Sequence, residues 1–434
     1  MTQDLYVSSF PRLEAKLPGQ DAAWLKALRL QALERFKQTG FPTDELENWK
    51  YTNLSLTLLK ESFAFETATS TAAVATQLKK AGFDVDKAHL MVFINGRFSK
   101  EFSSLKPLAK GITVQNMASS LSSETVKAFV GKIAPSQNRA FTALNTAFFT
   151  DGLFVQLEAG KVLDAPIHVV YLSANGNQTT QSHVRNLLVL GDDSKVNVIE
   201  HYWGENLSAY FTNVVTEAAM AKGSSLDHTK IGLEDIKGYH IGSLIALQEE
   251  GSRLSSRLFS IGGALTRNEI ETTLSQKKAE CVLEGLYLAK EKQHVDTRTF
   301  IDHLSPNCNS HEVYKGVADG QATAVFDGRI LVRENAQKTD ARQSNKNLLL
   351  TKEAKVYSKP QLQIYADDVK CSHGSATGQI DEEALFYLQS RGISRDEAKK
   401  VLVYAFAGEM VEKIESAYLK PALKKLVDNW MEVH

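Results

Sequence analysis

Cysteine, proline and net charge are all scarce in this chain of 434 residues, and each scarcity excludes something. The three cysteines, Cys281, Cys308 and Cys371, are odd in number and far apart, which fits reduced thiols and not a disulfide framework. With nine prolines and an apolar share of 43%, the composition is that of an ordinary globular protein with no disordered tract. A formal charge of −1 argues against a nucleic-acid binder that works by bulk electrostatics. Apolar runs such as LMVFI at 90–94 fall far short of the roughly 20 residues a spanning helix needs, so no membrane segment is expected. The opening stretch MTQDLYVSSFPRLEAKL lacks a basic region followed by an apolar one, so a cytoplasmic chain without a secretion signal is expected.

Several catalytic signatures are missing as well. No G-x-x-x-x-G-K-[S/T] phosphate loop occurs, since Gly131-Lys132 lacks both the earlier glycine and the hydroxyl residue. There is no G-x-S-x-G, no H-E-x-x-H and no C-x-x-C. An ATPase, a zincin and a thioredoxin-like enzyme would each need one of these.

What is present divides into three parts. Residues 1–150 read as mainly helical with a short hairpin. Ala22, Leu25, Leu28, Ala32 and Phe36 recur at spacings of three and four within 19–39, and Gly40 with Pro42 stops the pattern. Asp44 offers a helix cap, and a second helical patch at 70–81 closes on Gly82. MVFINGRFS at 91–99 predicts two strands about an Asn95-Gly96 turn. Further on, Phe141, Leu144 and Phe148 share a helical face.

Residues 151–380 change character. Short segments rich in Val, Ile, Leu and Phe recur, among them 153–157, 167–172, 195–201, 211–218, 254–261, 281–288 and 324–332. Breakers such as Asn175-Gly176-Asn177 and Gly262-Gly263 separate them. No helix-length amphipathic pattern intervenes, which disfavours βαβ units. The region is large for one sandwich, and a parallel β-helix, in which each coil covers the edge of the next, is favoured although the repeat is not strict.

Residues 381–434 predict three helices. Asp381 caps 382–390 and Gly392 ends it; Ser394 and Glu397 form a capping box opening a helix to about Tyr418; Pro421 begins the third. A cap over the last coil and a partner-binding surface are equally weighted roles for them.

Two groupings hold metal-ligand residue types. His294, Asp296, His303, Cys308 and His311 are spaced unlike a compact zinc site, so structural roles are favoured. In ADDVKCSHGSATGQI (366–380), Cys371 and His373 lie two apart, so on a strand thiol and imidazole face one side. Two such ligands are too few for a closed site, and a buried cysteine beside a hydrogen-bonded histidine is the plainer reading. Gly374 and Gly378 suggest tight backbone passage.

The runs AQKTDARQSNKNLLLT (336–351) and PQLQIYADDVKCSHGSATGQIDEEALFYLQSRGIS (360–394) resemble the SufB/SufD family of iron–sulfur cluster assembly scaffolds, on its SufD side. Supporting matches, in order, are ENWKYTNLS (47–55), VFINGRFS (92–99), GGALTRNEI (262–270), HVDTRTFIDHLSPNCNSHEVYKG (294–316) and FDGRI (326–330). The resemblance implies a right-handed parallel β-helix core flanked by an N-terminal helical region and a C-terminal helical domain. It implies a non-catalytic scaffold that joins SufB and the ABC-type ATPase SufC, which docks on the C-terminal helices. No nucleotide is then bound by this chain. A transient iron–sulfur cluster is shared with SufB, and His373 matches the family histidine that holds it; Cys371 matches the motif with a less secure role. Reduced flavin is associated with the family complex, and no flavin motif is present here. A homodimer in the absence of SufB stays open. Two rivals remain: a secreted-type β-helix enzyme acting on polysaccharide through Asp296 and Asp302, and a stand-alone zinc hydrolase at Cys371 and His373.

Overall fold

The computed structural model describes residues 2–65, 74–76, 85–137, 139–174, 178–204 and 208–432. Its framework is a β-solenoid of two stacked sheets, one of ten strands and one of nine. From β4 (Leu153–Leu157) and β5 (Ile167–Ser173) to β18 (Lys355–Ile364) and β19 (Lys370–Gln379), successive strands alternate between the sheets and pair in parallel with the strand two before. Register is kept from coil to coil: Cys281, Ser310, Ala341 and Cys371 occupy successive rungs of one inward column. Inward positions such as Val155, Val169, Val198, Leu226, Leu254, Leu283 and Ile330 fill the space between the sheets, and removing that apolar surface from water drives the stacking.

The sheets begin within the segment read as mainly helical. The expected hairpin is β1 (His89–Ile94) and β2 (Arg97–Phe98), antiparallel, with Asn95 and Gly96 at φ 47° and 75°, the left-handed pair of a type I′ turn. β1 also pairs in parallel with β5, and β3 (Ile112–Asn116) runs antiparallel to β4. Around these lie α1 (Gln3–Glu14), α2 (Ala23–Thr39), α3 (Glu124–Phe129) and α4 (Ala140–Phe148). Phe141, Leu144 and Phe148 do share a face, which packs on Phe211, Ile241 and Leu265 of the nine-stranded sheet. Gly40 ends α2 at φ 64°. Asp44 caps no helix; its carboxylate receives Asn53 Nδ2 at 2.7 Å, and Leu46 precedes the short turn Glu47–Trp49. Of the patch expected at 70–81, residues 74–76 are helical and the rest lies outside the described residues.

The C-terminal helices are α5 (Glu382–Ser390), α6 (Arg395–Glu412) and α7 (Lys420–Glu432). Asp381 accepts the Glu383 and Ala384 N–H groups, and the Ser394–Glu397 box closes in both directions. α6 stops short of Tyr418 because Ser416 starts a new turn: its side-chain and backbone oxygens both take the Leu419 N–H. These helices do not cover the last coil. Val403, Ala407, Met410, Val411, Val427 and Trp430 lie on the flank of the ten-stranded sheet, against Ile199, Ile231, Phe259, Leu286 and Val317. Two ion pairs fasten that contact: Lys315 donates to Phe406 O and to Glu409, and Lys413 pairs with Glu284 at 3.1 Å. An end cap would have placed this apolar stripe on polar β19, so the stripe settles on the aliphatic flank instead. No helix among the described residues is long and apolar enough to cross a membrane.

One buried ion pair ties the N-terminal segment to the solenoid. Arg185 and Glu217 are both fully buried, 2.6 Å apart, and Glu217 also receives the backbone N–H groups of Gly131, Ile133 and Ala134. Glu217→Ala strips these donors of their acceptor and leaves Arg185 as an unpaired buried cation. The expected loss is roughly 3–5 kcal/mol of unfolding free energy, measured as a lowered midpoint in urea denaturation.

Candidate functional site

β19 is the last strand of the ten-stranded sheet, with β17 (Asp340–Leu349) on one side and no described strand on the other. The Lys370 N–H bonds to Thr339 O at 2.8 Å, so alternate residues of β19 face β17. Cys371, His373, Ser375 and Thr377 therefore turn their N–H and C=O groups to the free edge.

Their side chains extend the inward columns of the solenoid. On β17 the partners Ala341, Gln343, Asn345 and Asn347 are buried, whereas Arg342 and Lys346 between them are exposed. Cys371 and His373 thus share the inward face, roughly 7 Å apart along the strand. His373 is exposed only because no further coil covers the mouth. Below it the solenoid ends in a polar layer. Asn345 donates to the Tyr287 hydroxyl at 3.0 Å, Asn347 to Asn345 at 2.7 Å, and Ser358 of β18 bonds both Asn345 and Ser375 at 2.7 Å. Gly374 and Gly378 do not mark tight passage: a Cβ on either would meet nothing within 4 Å. With Ala376 they lie on the exposed outer face of β19.

Cys371 is partly buried against the interior core. Burial raises its thiol above the ordinary range, Asp340 adds to this, and the Ala341 N–H opposes it. The sulfur is a protonated thiol at neutral pH, not a standing thiolate. Among the described residues, no third His, Cys, Asp or Glu joins this pair into a group able to hold a metal ion.

The other grouping is dispersed into structural contacts. His294 and Asp296 share the Thr52 hydroxyl, at 3.0 and 2.6 Å. Burial works to raise Asp296, but Arg267 and Arg298 outweigh it and hold the carboxyl below its usual range. His303 meets Ser310 at 2.9 Å, Cys308 donates to Gln276 O at 3.3 Å, and His311 is exposed on the outer face. Asp302 is paired with Arg333 at 3.0 Å. With both acids held by guanidinium groups, the polysaccharide-enzyme rival lacks the free general acid it needs. Sequence reasoning passed over Gln343, Asn345 and Asn347. Their signal was an unbroken polar run from Arg342 to Asn347 that ends at Leu348 and Leu349.

The chain matches known proteins over most of its length. Residues 1–169 match the SufBD protein N-terminal region, and residues 171–406 match the SufBD core domain of SUF system FeS cluster assembly. The chain is 31% identical over 393 residues to the iron–sulfur cluster assembly protein SufD of Escherichia coli, covering 90% of this chain and 89% of that protein. It is 29% identical over 426 residues to a SufBD family iron–sulfur cluster assembly protein of Synechocystis, covering 95% and 93%. It is 24% identical over 419 residues to SufD of Bacillus subtilis, covering 94% of each.

The burial of the three thiols predicts an order of reactivity. Cys281 and Cys308 are buried and Cys371 is intermediate. Brief iodoacetamide treatment of the native chain, read by mass spectrometry of its peptides, should label Cys371 alone, and more slowly than free cysteine at the same pH. Equal labelling of all three would contradict the interior placement of the other two.

Proposed function

This chain belongs to the SufBD family of the SUF iron–sulfur cluster assembly system, and we propose that it is a SufD-type scaffold subunit supplying one half of a nascent-cluster site at a seam with SufB. One observation carries the reading: the unpaired terminal strand β19 bears His373 and Cys371 on its inward, uncovered face. A strand from the partner solenoid adds to β19 through the free N–H and C=O groups of Cys371, His373, Ser375 and Thr377, extending the sheet across the two chains. Iron then sits at the mouth between two polar layers. His373 donates a neutral imidazole nitrogen and the partner supplies the thiolate, a suitable mixed set for iron. Cys371, kept protonated by burial, is a secondary ligand that binds after losing its proton.

SufC docks, in this proposal, on the C-terminal helices. Phe386 and Tyr387 of α5 are 72% and 58% exposed, an apolar surface of the kind that marks a partner site. ATP binding and hydrolysis belong to that partner. Movement of α6 reaches the sheet that ends in β19 through two contacts to neighbouring strands: strand residue Lys315 holds Glu409 of α6, and Lys413 at the end of α6 holds strand residue Glu284. Nucleotide-driven closure of the ATPase thus shifts the seam by favouring one arrangement of the two solenoids. When SufB is absent, the same edge pairs with a second copy of this chain.

His373→Ala should leave assembly with SufB and SufC intact on size exclusion and abolish the cluster absorbance that builds up on anaerobic reconstitution. Wild-type absorbance in the variant would remove His373 from the site. Ser375→Pro deletes a free-edge donor without touching a bond to β17. Co-purification with untagged SufB should fall at least about tenfold, equivalent to roughly 1.4 kcal/mol, while the isolated variant keeps its circular dichroism. Undiminished capture of SufB would place the seam elsewhere.

A further inference from the structure

One rung below His373, Gln343 is 3% exposed and its amide is oriented from beneath. Its Nε2 donates to Glu312 Oε2 at 2.8 Å, and the other oxygen of Glu312 receives the Thr299 hydroxyl at 2.5 Å. Gly328 on the facing sheet makes room for this side chain, since a Cβ there would clash with Nε2. Glu312 is fully buried, and burial pushes its carboxyl up to about 7 against the Thr299 and Gln343 hydrogen bonds. With its NH2 committed to Glu312, the Gln343 amide turns Oε1 the other way. That oxygen is buried and has no hydrogen-bond partner among the described residues.

An orphaned amide oxygen inside a close-packed solenoid is costly and calls for a partner. Parallel in-register pairing puts the Cα atoms of Gln343 and His373 one strand spacing apart, about 4.8 Å, with both side chains on the inward face. Asn345 and Asn347, the other polar residues of this layer, are already bonded to Tyr287, Ser358 and each other. The imidazole is therefore the group in register with the unused acceptor.

We propose that Gln343 is a positioning residue for His373, its buried amide oxygen accepting one imidazole N–H so that the second ring nitrogen is left unprotonated and directed out of the mouth toward iron. This rests on the reading of His373 as a ligand. The chemistry is the usual one for a metal-binding histidine: a hydrogen bond at one nitrogen selects the tautomer and fixes the ring for coordination at the other. Glu312 contributes by setting which way the amide points, because a carboxyl whose accepting oxygen faces Nε2 holds Oε1 upward.

The test is the tautomer of His373, read from ring ¹⁵N chemical shifts in the full-length chain without metal, at a pH above the imidazole range. The wild type should show one tautomer in strong excess. Gln343→Met, similar in volume and without the acceptor, should return the ratio to that of free imidazole. Glu312→Gln, which lets the amide flip, should shrink the excess, and it carries the test should Gln343→Met fail to fold. A ratio unchanged in both variants overturns the proposal. In the complex with SufB and SufC, Gln343→Met should weaken iron retention about 10- to 100-fold, the usual effect of losing such a partner. The two readings fail separately. Cluster retained by His373→Ala defeats the ligand assignment, whereas an unchanged tautomer ratio in the metal-free chain defeats the role of Gln343 alone.

Discussion

A stack of parallel strands has two edges, and the treatment of the second edge governs the rest of this structure. At the N-terminal end the ladder is closed by short antiparallel pieces: β2 has two residues, and β3 turns back on β4. At the other end β18 and β19 are ten residues each; β18 is mostly half-buried and β19 is largely exposed. Proteins ordinarily blunt such an edge with charge, proline or a covering helix. Among the described residues no proline and no helix covers the free side of β19, and beyond Lys370 and Ser372 its outer face is Gly374, Ala376 and Gly378. On the proposed reading, that edge is paired by a strand of the partner.

The placement of the C-terminal helices fits that asymmetry. An amphipathic stripe of Val403, Ala407, Met410 and Val411 needs an aliphatic surface, and the flank of the ten-stranded sheet offers Ile199, Ile231, Phe259 and Leu286. The end of the solenoid offers Asn345, Asn347, Ser358 and Ser375, which are already bonded to one another. Hydrophobic burial therefore moves the helices to the flank and leaves the polar mouth open. The same packing joins helix and sheet mechanically, since Lys315 is buried and its ammonium is satisfied by the Phe406 carbonyl and Glu409 of α6. Sliding α6 along the sheet would strand that charge, so helix and strand move together.

Much of the fold was legible because local chemistry and tertiary structure agree. Asn95-Gly96 makes the turn its dipeptide demands, the Ser394–Glu397 box starts its helix, and aliphatic segments mark most strands. Strands at 225–233 and 309–318 gave no such signal because their inward positions carry ionisable groups. His228, Lys230 and Glu312 are inside the solenoid. Lys230 is tolerated there because Glu200 and Glu234 oppose the burial that lowers its ammonium to about 8. Periodicity cannot distinguish such a strand from a loop. The pair at Cys371 and His373 was visible from spacing alone, but its exposure was not. Which strand ends a sheet, and where the helices settle, depends on contacts between residues far apart in the chain.

On the proposed reading, the open mouth also accounts for a site that is incomplete on one chain. A full set of thiolate and imidazole ligands on β19 would bind metal before any partner arrived, and would keep it. Splitting the set would make ligation and chain pairing mutually reinforcing, since metal held across the proposed seam would stabilise the paired state by an amount that grows with the logarithm of free metal over its Kd. Such a coupling would be reciprocal, so any rearrangement that weakened the seam would weaken the hold on the cluster by the same free energy. A transient scaffold needs that reversibility. Burial of the Cys371 thiol works in the same direction, because a protonated sulfur must give up its proton before it can compete for iron. On the proposed reading, the chain holds a cluster poorly alone and adequately in company.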